Sequence, residues 1–259
     1  MAKNLLKNLL GEARAAKGVI DTKKLIAAIE AGYLPEKTTE YKKKKSFAPS
    51  SLVYGSGECP RYWYLAFEGG DFESENTPQE IANMQNGSYA HERIQKAVGN
   101  TDIVVSVEKK ITYDDPPIFG FQDLELFWND GNLPVEIKTT RDIAFQRRKD
   151  AGTALPYHRS QLLIYMYIQH ADLGVVLYEN KDTHELYAVP LEMTPENKQW
   201  VENSFEWMRS VRKAWNDKQL PKKNYRANSK ICKTCPLSKV CATLPSEGDI
   251  ELPSLEKLG

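Results

Sequence analysis

The stretch Asn129-Asp130-Gly131-Asn132 lies between two β-rich runs, FGFQDLELFW (119–128) and LPVEIKTT (133–140). Turn residues between strand-forming segments specify a tight hairpin, because a two-residue type I′ turn needs backbone conformations that Asn, Asp and Gly tolerate. With Asp130-Gly131 as the turn, Asp123 faces Lys138 and Glu125 faces Glu136. Opposed residues, and residues two apart on one strand, share a side of the sheet. Asp123, Glu136 and Lys138 are therefore expected to project from one face, with Pro134 making the start of the second strand irregular.

On either side of this hairpin the hydrophobic period changes. DIVVSVEKKITY (102–113), LGVVLYEN (173–180) and HELYAVPL (184–191) are further β-rich runs, whereas 141–151, 156–170 and 195–217 carry helical spacing. Thr77-Pro78 opens another helix that runs to Val98, with Ile81, Met84, Ala90 and Ile94 on its apolar face. This alternation predicts an α/β core. Residues 1–34 read as two short helices, Asp21-Thr22 capping the second, and 35–49, with four lysines at 42–45 and Pro49, as a linker or mobile basic loop. Residues 218–259 read as loop. The expected division is a helical extension with its basic linker over 1–49, a core over 50–217, and a basic, cysteine-bearing segment over 218–259.

The 259 residues, 41% of them hydrophobic and 35 basic against 35 acidic, exclude a disordered or fibrous chain and suit one large domain with an appendage. The longest apolar run, Leu162 to Ile168, is far short of the roughly 20 residues of a membrane-spanning helix. Lys3, Lys7 and Glu12 interrupt the apolar pattern at the start, which argues against a secretory signal and for a reducing cytoplasm. In that compartment four cysteines are better read as metal ligands than as disulfides.

Two carboxylates and an ammonium on one sheet face suit a hard divalent cation, which takes one or two carboxylates together with water and phosphate oxygens. Such a cation polarises a phosphodiester, and Lys138 then holds the attacking water or neutralises charge on the phosphate. The plain alternative is an exposed strand with alternating charge. His91, on the 77–98 helix, offers a neutral imidazole as a further ligand, or else a packed or surface histidine. Gln161 and Tyr165, four apart on the 156–170 helix, point one way, toward DNA or toward Lys138, with core packing as the alternative.

Cys232-x2-Cys235-x5-Cys241, with Cys59 far upstream, makes a three-plus-one set of thiolates. Tetrahedral thiolate ligation suits zinc or an iron–sulfur cluster; the three-plus-one spacing leans to the cluster and leaves zinc open. A basic stripe between Phe205 and Lys230 holds Arg209, Arg212, Lys213, Lys222, Lys223 and Arg226, with Trp207, Trp215 and Tyr225 interleaved. It suits phosphate contacts and base stacking, or else a solvated helix whose aromatics face the core.

Taken in order, Cys59, Gly87 and His91, Asp123, Glu136-Ile137-Lys138, Gln161-x3-Tyr165 and the C-terminal cysteine triplet resemble the iron–sulfur branch of the RecB-like PD-(D/E)XK nucleases. Within it the chain is most similar to the small exonucleases related to the CRISPR-adaptation nuclease and their viral versions, and also to the AddB nuclease domain. The resemblance covers about 50 to 245. It implies a restriction-endonuclease-like core, a mixed central sheet flanked by helices, with a [4Fe–4S] cluster on Cys59, Cys232, Cys235 and Cys241. It further implies Mg²⁺ or Mn²⁺ on His91, Asp123, Glu136 and the Ile137 carbonyl, Lys138 as catalytic lysine, and Gln161 and Tyr165 completing the site and touching DNA. DNA, single-stranded or at its ends, is the implied partner, in the cytoplasm of a bacterium or of a virus's host. Recombination, replication or CRISPR-adaptation proteins and an oligomer are further partners it allows. The helices at 1–34 and the basic linker have no counterpart in the family's minimal form. A rival expectation keeps fold and cluster but makes the chain a catalytically weak nucleic-acid-binding adaptor.

Overall fold

The computed structural model describes residues 20–33, 43–70, 72 and 76–258. The first of the two expected N-terminal helices and residues 35–42 of the expected linker lie outside them. The chain forms two compact units: residues 1–39 with 75–88, and 40–74 with 89–259. In the first, helix α1 (Thr22–Ala31) begins where expected, the Asp21 carboxylate accepting from the Lys24 amide at 3.1 Å. Gln79 donates to Glu30 within the same unit.

The second unit opens with the short helix α2 (Pro49–Leu52), a 3₁₀ turn over Gly55–Glu58 and helix α3 (Pro60–Glu68). Helix α4 (Pro78–Val98) follows in the chain, its residues to Ser88 counted with the first unit and those from Tyr89 with the second; its first turn is closed by a capping box in which Thr77 and Glu80 each bond the other's amide. Then come β1 (Val104–Tyr113), β2 (Ile118–Trp128), β3 (Gly131–Thr140), α5 (Asp142–Ala151), α6 (Pro156–Gln169), β4 (Leu173–Asn180), β5 (Leu186–Glu192) and α7 (Pro195–Asn216). Two short helices, α8 (Lys230–Lys233) and α9 (Ser238–Ala242), interrupt the C-terminal segment. The strands form one mixed sheet in chain order; only β3 and β4, joined through α5 and α6, run parallel.

The hairpin forms, but its turn is Asn129-Asp130, both at positive φ (49° and 62°), and Trp128 pairs with Gly131. Glu125 therefore lies opposite Pro134 rather than Glu136, and its carboxylate accepts from Lys109 and Ser106 instead. The whole register is shifted by two from the Asp-Gly expectation. A shift of two leaves every side chain on its original face, so the hydrophobic pattern could not separate the two turns.

The main core lies where α3, α6 and α7 pack together and against the sheet, around Trp63, Phe67, Leu162, Met166, Val176, Val201 and Met208. A smaller cluster, Ile94, Leu124, Val135 and Ile137, fills the α4 face. Residues 43–49 are not a free loop. The Lys44 amide bonds the Ala66 carbonyl, Phe47 bridges to Ile118 beside β2, and the Phe47 ring packs on Trp63 and Phe67. The C-terminal segment is equally fixed: Leu252, Leu255 and Leu258 are buried, and the Trp200 and Trp207 indoles donate to the carbonyls of Glu256 and Pro253. Phe47→Ala should cost about 3–5 kcal/mol in urea unfolding, the range of a buried Phe truncation; a loss no larger than a surface substitution gives would show that 43–49 is not part of the core.

Candidate active site and thiol cavity

Beyond the pair Leu124 and Val135 the ladder between β2 and β3 stops: β2 goes on beside β1, and β3 beside β4. The two strands thus part at Asp123 and Glu136, which the register leaves level with each other. An Asp123 carboxylate oxygen fills the gap, accepting from the Ile137 amide at 2.6 Å. One oxygen of Glu136, Oε1, accepts from Lys138 Nζ and from Gln161 Nε2, each at 2.6 Å. The other, Oε2, is buried with no hydrogen-bond partner. Burial raises the Glu136 carboxyl to about 8; Lys138 opposes that rise and the neighbouring Asp123 adds to it. A buried carboxylate with an unanswered oxygen beside a second acid is a site short of positive charge.

His91 Nδ1 on α4 lies 3.3 Å from Asp123 Oδ1. Glu108 sits level with Asp123 across the β1–β2 ladder, between the pairs Val107–Leu124 and Lys109–Gln122. Ligand atoms of His91, Glu108 and Asp123 all lie within 4.8 Å of one another. Glu108 holds a positive φ of 49° within a strand, and its carboxylate accepts from Gln95, which also donates to the Asp123 carbonyl. An imidazole and carboxylates at this spacing, next to the orphaned Glu136 oxygen, fit a hard divalent cation. Glu108 is absent from the sequence expectation because no tight turn sets the β1–β2 register, and one glutamate in the run VEKKI carries no signal of its own.

Gln161 and Tyr165 do turn toward this site, but inward. Gln161 bridges Glu136 and Lys138, accepting from Lys138 Nζ at 3.2 Å. Tyr165 is 1% exposed; it bonds Gln161, and its hydroxyl comes so close to Gly120 that a Cβ there would stand 2.4 Å from it. Burial, then Glu136, raises its phenol well above the ordinary range. A Cβ at Gly87 would meet nothing within 4 Å. One turn before Gln161, His158 is half-buried and lowered to about 3, chiefly by desolvation and then by the charges of Lys138 and Arg148. The Tyr178 hydroxyl accepts from the Leu155 amide at 3.0 Å and has its proton left for His158 Nδ1 at 2.7 Å. His158 is thereby a neutral ring with hydrogen on Nε2, in the field of the lysine.

Cys59, Cys232, Cys235 and Cys241 line one cavity of about 80 Å³. Burial raises the Cys59 thiol to about 12 and also raises Cys235, and each feels the charge of its neighbouring cysteines. Gly57 sets this corner: a Cβ there would stand 1.5 Å from the Ser51 carbonyl oxygen, so only glycine lets the chain turn into Cys59. Four soft donors around one cavity, with Cys59 and Cys235 losing free energy if they ionise without a cation, fit a thiolate-bound metal group. Among the described residues, the group of three or more metal-ligating side chains with ligand atoms within 4.8 Å of one another is the acidic one.

The basic stripe divides. Arg209 is held by Asp115 and Glu206, Lys213 by Asp217, and Arg212 stacks on Trp215 and Phe67. Trp207 is buried, so the interleaved tryptophans pack on protein. Lys223 lines the thiol cavity, Lys222 lies 3.9 Å from Glu247, and Arg226 is exposed. No hydrogen bond or ion pair among the described residues joins these six to the acidic site.

A carboxyl with a raised folded pKa holds its proton more tightly in the native state than in the unfolded one. Stability in EDTA should therefore fall as pH rises from about 4.5 to about 8, and Glu136→Gln should flatten that fall. Denaturant unfolding between these pH values measures it; the same slope in E136Q as in the parent would place the buried charge elsewhere.

No protein-family model and no curated protein sequence matches the chain. Among solved structures it is similar to LHK-Exo, an alkaline exonuclease from Laribacter hongkongensis, in complex with dAMP: TM-score 0.52 and 12% identity over 67% of this chain and 89% of that one. A second LHK-Exo structure gives 0.44 at 12% identity over 66% and 90%, and SSO0001 gives 0.45 at 19% identity over 86% and 96%. At such identities the first likeness speaks for the fold: a mixed five-stranded sheet flanked by helices, of the kind seen in that exonuclease.

Proposed function

We propose that the chain is a metal-dependent deoxyribonuclease, acting as an exonuclease on single strands or DNA ends. The observation that carries this reading is the parting of β2 and β3, which leaves Asp123 and the orphaned oxygen of Glu136 beside Lys138. Mg²⁺ or Mn²⁺, held by Asp123, Glu136, His91 and the Ile137 carbonyl with Glu108 as an added carboxylate, would supply Lewis acidity toward a phosphodiester. The chain's own residues then have defined tasks. Lys138 uses two of its three protons on Glu136 and Gln161 and has one left for a water or a phosphate oxygen. Gln161 keeps that ammonium in place, and Tyr165 keeps Gln161 in place. His158, neutral, adds no charge to compete with the lysine. The geometry around Lys138 favours this reading over a binding-only adaptor, which has no need of an ammonium locked beside a buried carboxylate. Likeness to the exonuclease fold supports it.

Asp123→Ala, Glu136→Ala and Lys138→Ala should each lower cleavage of labelled single-stranded DNA by at least roughly a hundredfold, the scale of losing one transition-state contact. EDTA should abolish cleavage and Mn²⁺ or Mg²⁺ restore it. Near-parental turnover by a folded Lys138→Ala protein would remove the site from contention.

The four cysteines hold a [4Fe–4S] cluster as a structural clip. The three-plus-one spacing of the thiols leans to the cluster rather than to zinc. The clip joins residues about 170 apart in sequence, a long loop whose closure removes much unfolded-state entropy. Protein purified without oxygen should contain about four irons per chain. Cys235→Ser should lose them and open 218–258 to protease; one zinc and no iron would defeat the cluster while leaving the nuclease reading in place.

A further inference from the structure

Glu108 and Asp123 are the first of three level pairs on one side of the β1–β2 ladder. Two residues along, Lys110 pairs with Phe121, and two further on, Thr112 pairs with Phe119. Alternate residues share a face, so these six side chains stand on the same side. The residues alternating with them turn the other way, into the protein: Ile111 and Ile118 are buried, Gln122 is fully buried, and Gly120 lies against Tyr165. Phe119 and Phe121 are instead 39% and 47% exposed. Their rings meet edge to face at 5.3 Å, and Lys110 Nζ lies 5.6 Å from the Phe119 ring. Two phenyl rings held in water beside an acidic site gain nothing for the fold, since each leaves a large apolar area hydrated.

We propose that Phe121 and Phe119 are a stacking platform for the bases of single-stranded DNA entering or leaving the site, with Lys110 on the strand's phosphates. The proposal rests on the nuclease reading above. At about 3.3 Å per residue the rings begin about 7 and 13 Å along the strand from Asp123, so a strand whose scissile phosphate lies at Asp123 places its neighbouring bases over them. Aromatic faces accept any base, so the platform supplies grip without sequence preference, and it selects unpaired bases because paired ones have no free face to offer. The adjoining lysine makes nucleic acid a better occupant than an apolar protein surface.

Phe119→Ala/Phe121→Ala tests it by fluorescence anisotropy in EDTA, with oligothymidylate and an abasic strand of equal length as probes. The parent should bind the oligothymidylate more tightly. The double variant should lose at least roughly 5-fold in affinity for it, the low end of base–aromatic stacking for a single base, and change little toward the abasic strand. Phe121→Tyr should keep most of the affinity. Hydrolysis of bis(p-nitrophenyl) phosphate, which spans no platform, should stay at the parental rate in the double variant. Equal loss on both strands, or none, would overturn the platform while leaving the nuclease reading intact. A parent that neither cleaves DNA nor hydrolyses the small diester would overturn both. A double variant that binds as the parent does but no longer self-associates in light scattering would assign the rings to a contact between copies and overturn the proposal.

Discussion

Everything at the acidic site depends on two strands ceasing to pair. While β2 and β3 remain hydrogen-bonded, their backbones satisfy one another and no side chain is needed between them. After Leu124 and Val135 they separate, and the Ile137 amide is left facing the gap. Asp123 answers that amide with a carboxylate, which places a negative charge within the sheet rather than on it. Glu136, one residue before Ile137, is then buried beside an anion. Its proton affinity rises for the same reason that a cation would be welcome there.

The surrounding elements limit how that charge can be relieved from within. Lys138 is the near ammonium, and Gln161 shares it with Glu136 so that it cannot swing away. Tyr165 holds Gln161 from below and fits only because position 120 is glycine. His158 lies close enough to be affected by Lys138 but is held neutral by burial and by the Tyr178 hydroxyl. Glu136 Oε2 remains without a partner after all of this. A fold seldom leaves a buried carboxylate oxygen unsatisfied unless the site serves something other than stability.

How much of this could be read from the chain follows from what each signal encodes. Strand and helix periods place the elements of the second unit closely, because one buried face per element dictates them. The turn sequence specified a hairpin and put Asp123 and Glu136 on one side of it; it misjudged the turn by one residue, since Asn129 and Asp130 both tolerate a left-handed backbone and can form the turn without the glycine. The lysine run at 42–45 suggested a loose linker, yet Phe47 two residues later is an anchor in the main core, and one aromatic among charges gives little warning of that. Glu108 and His158 stayed hidden because their roles come from neighbours distant in sequence, across a strand pair and across a crossover. Tyr165 was visible but its direction was not: helical spacing says which residues share a face, not whether that face is wet.

The balance of 35 basic against 35 acidic residues also acquires a structural meaning. Many cations that composition alone would offer to DNA are already paired: Arg209 with Asp115 and Glu206, Lys213 with Asp217, Lys218 with Glu68, Lys109 with Glu125, Lys149 with Glu185. A paired cation releases fewer counterions from DNA than a free one, because it must first give up its own partner. On the nuclease reading, the phosphate backbone therefore contributes less to affinity than the lysine count suggests, and the remaining grip has to come from elsewhere. Exposed rings beside Asp123 can supply it, and unlike a basic stripe they distinguish a frayed or single strand from an intact duplex.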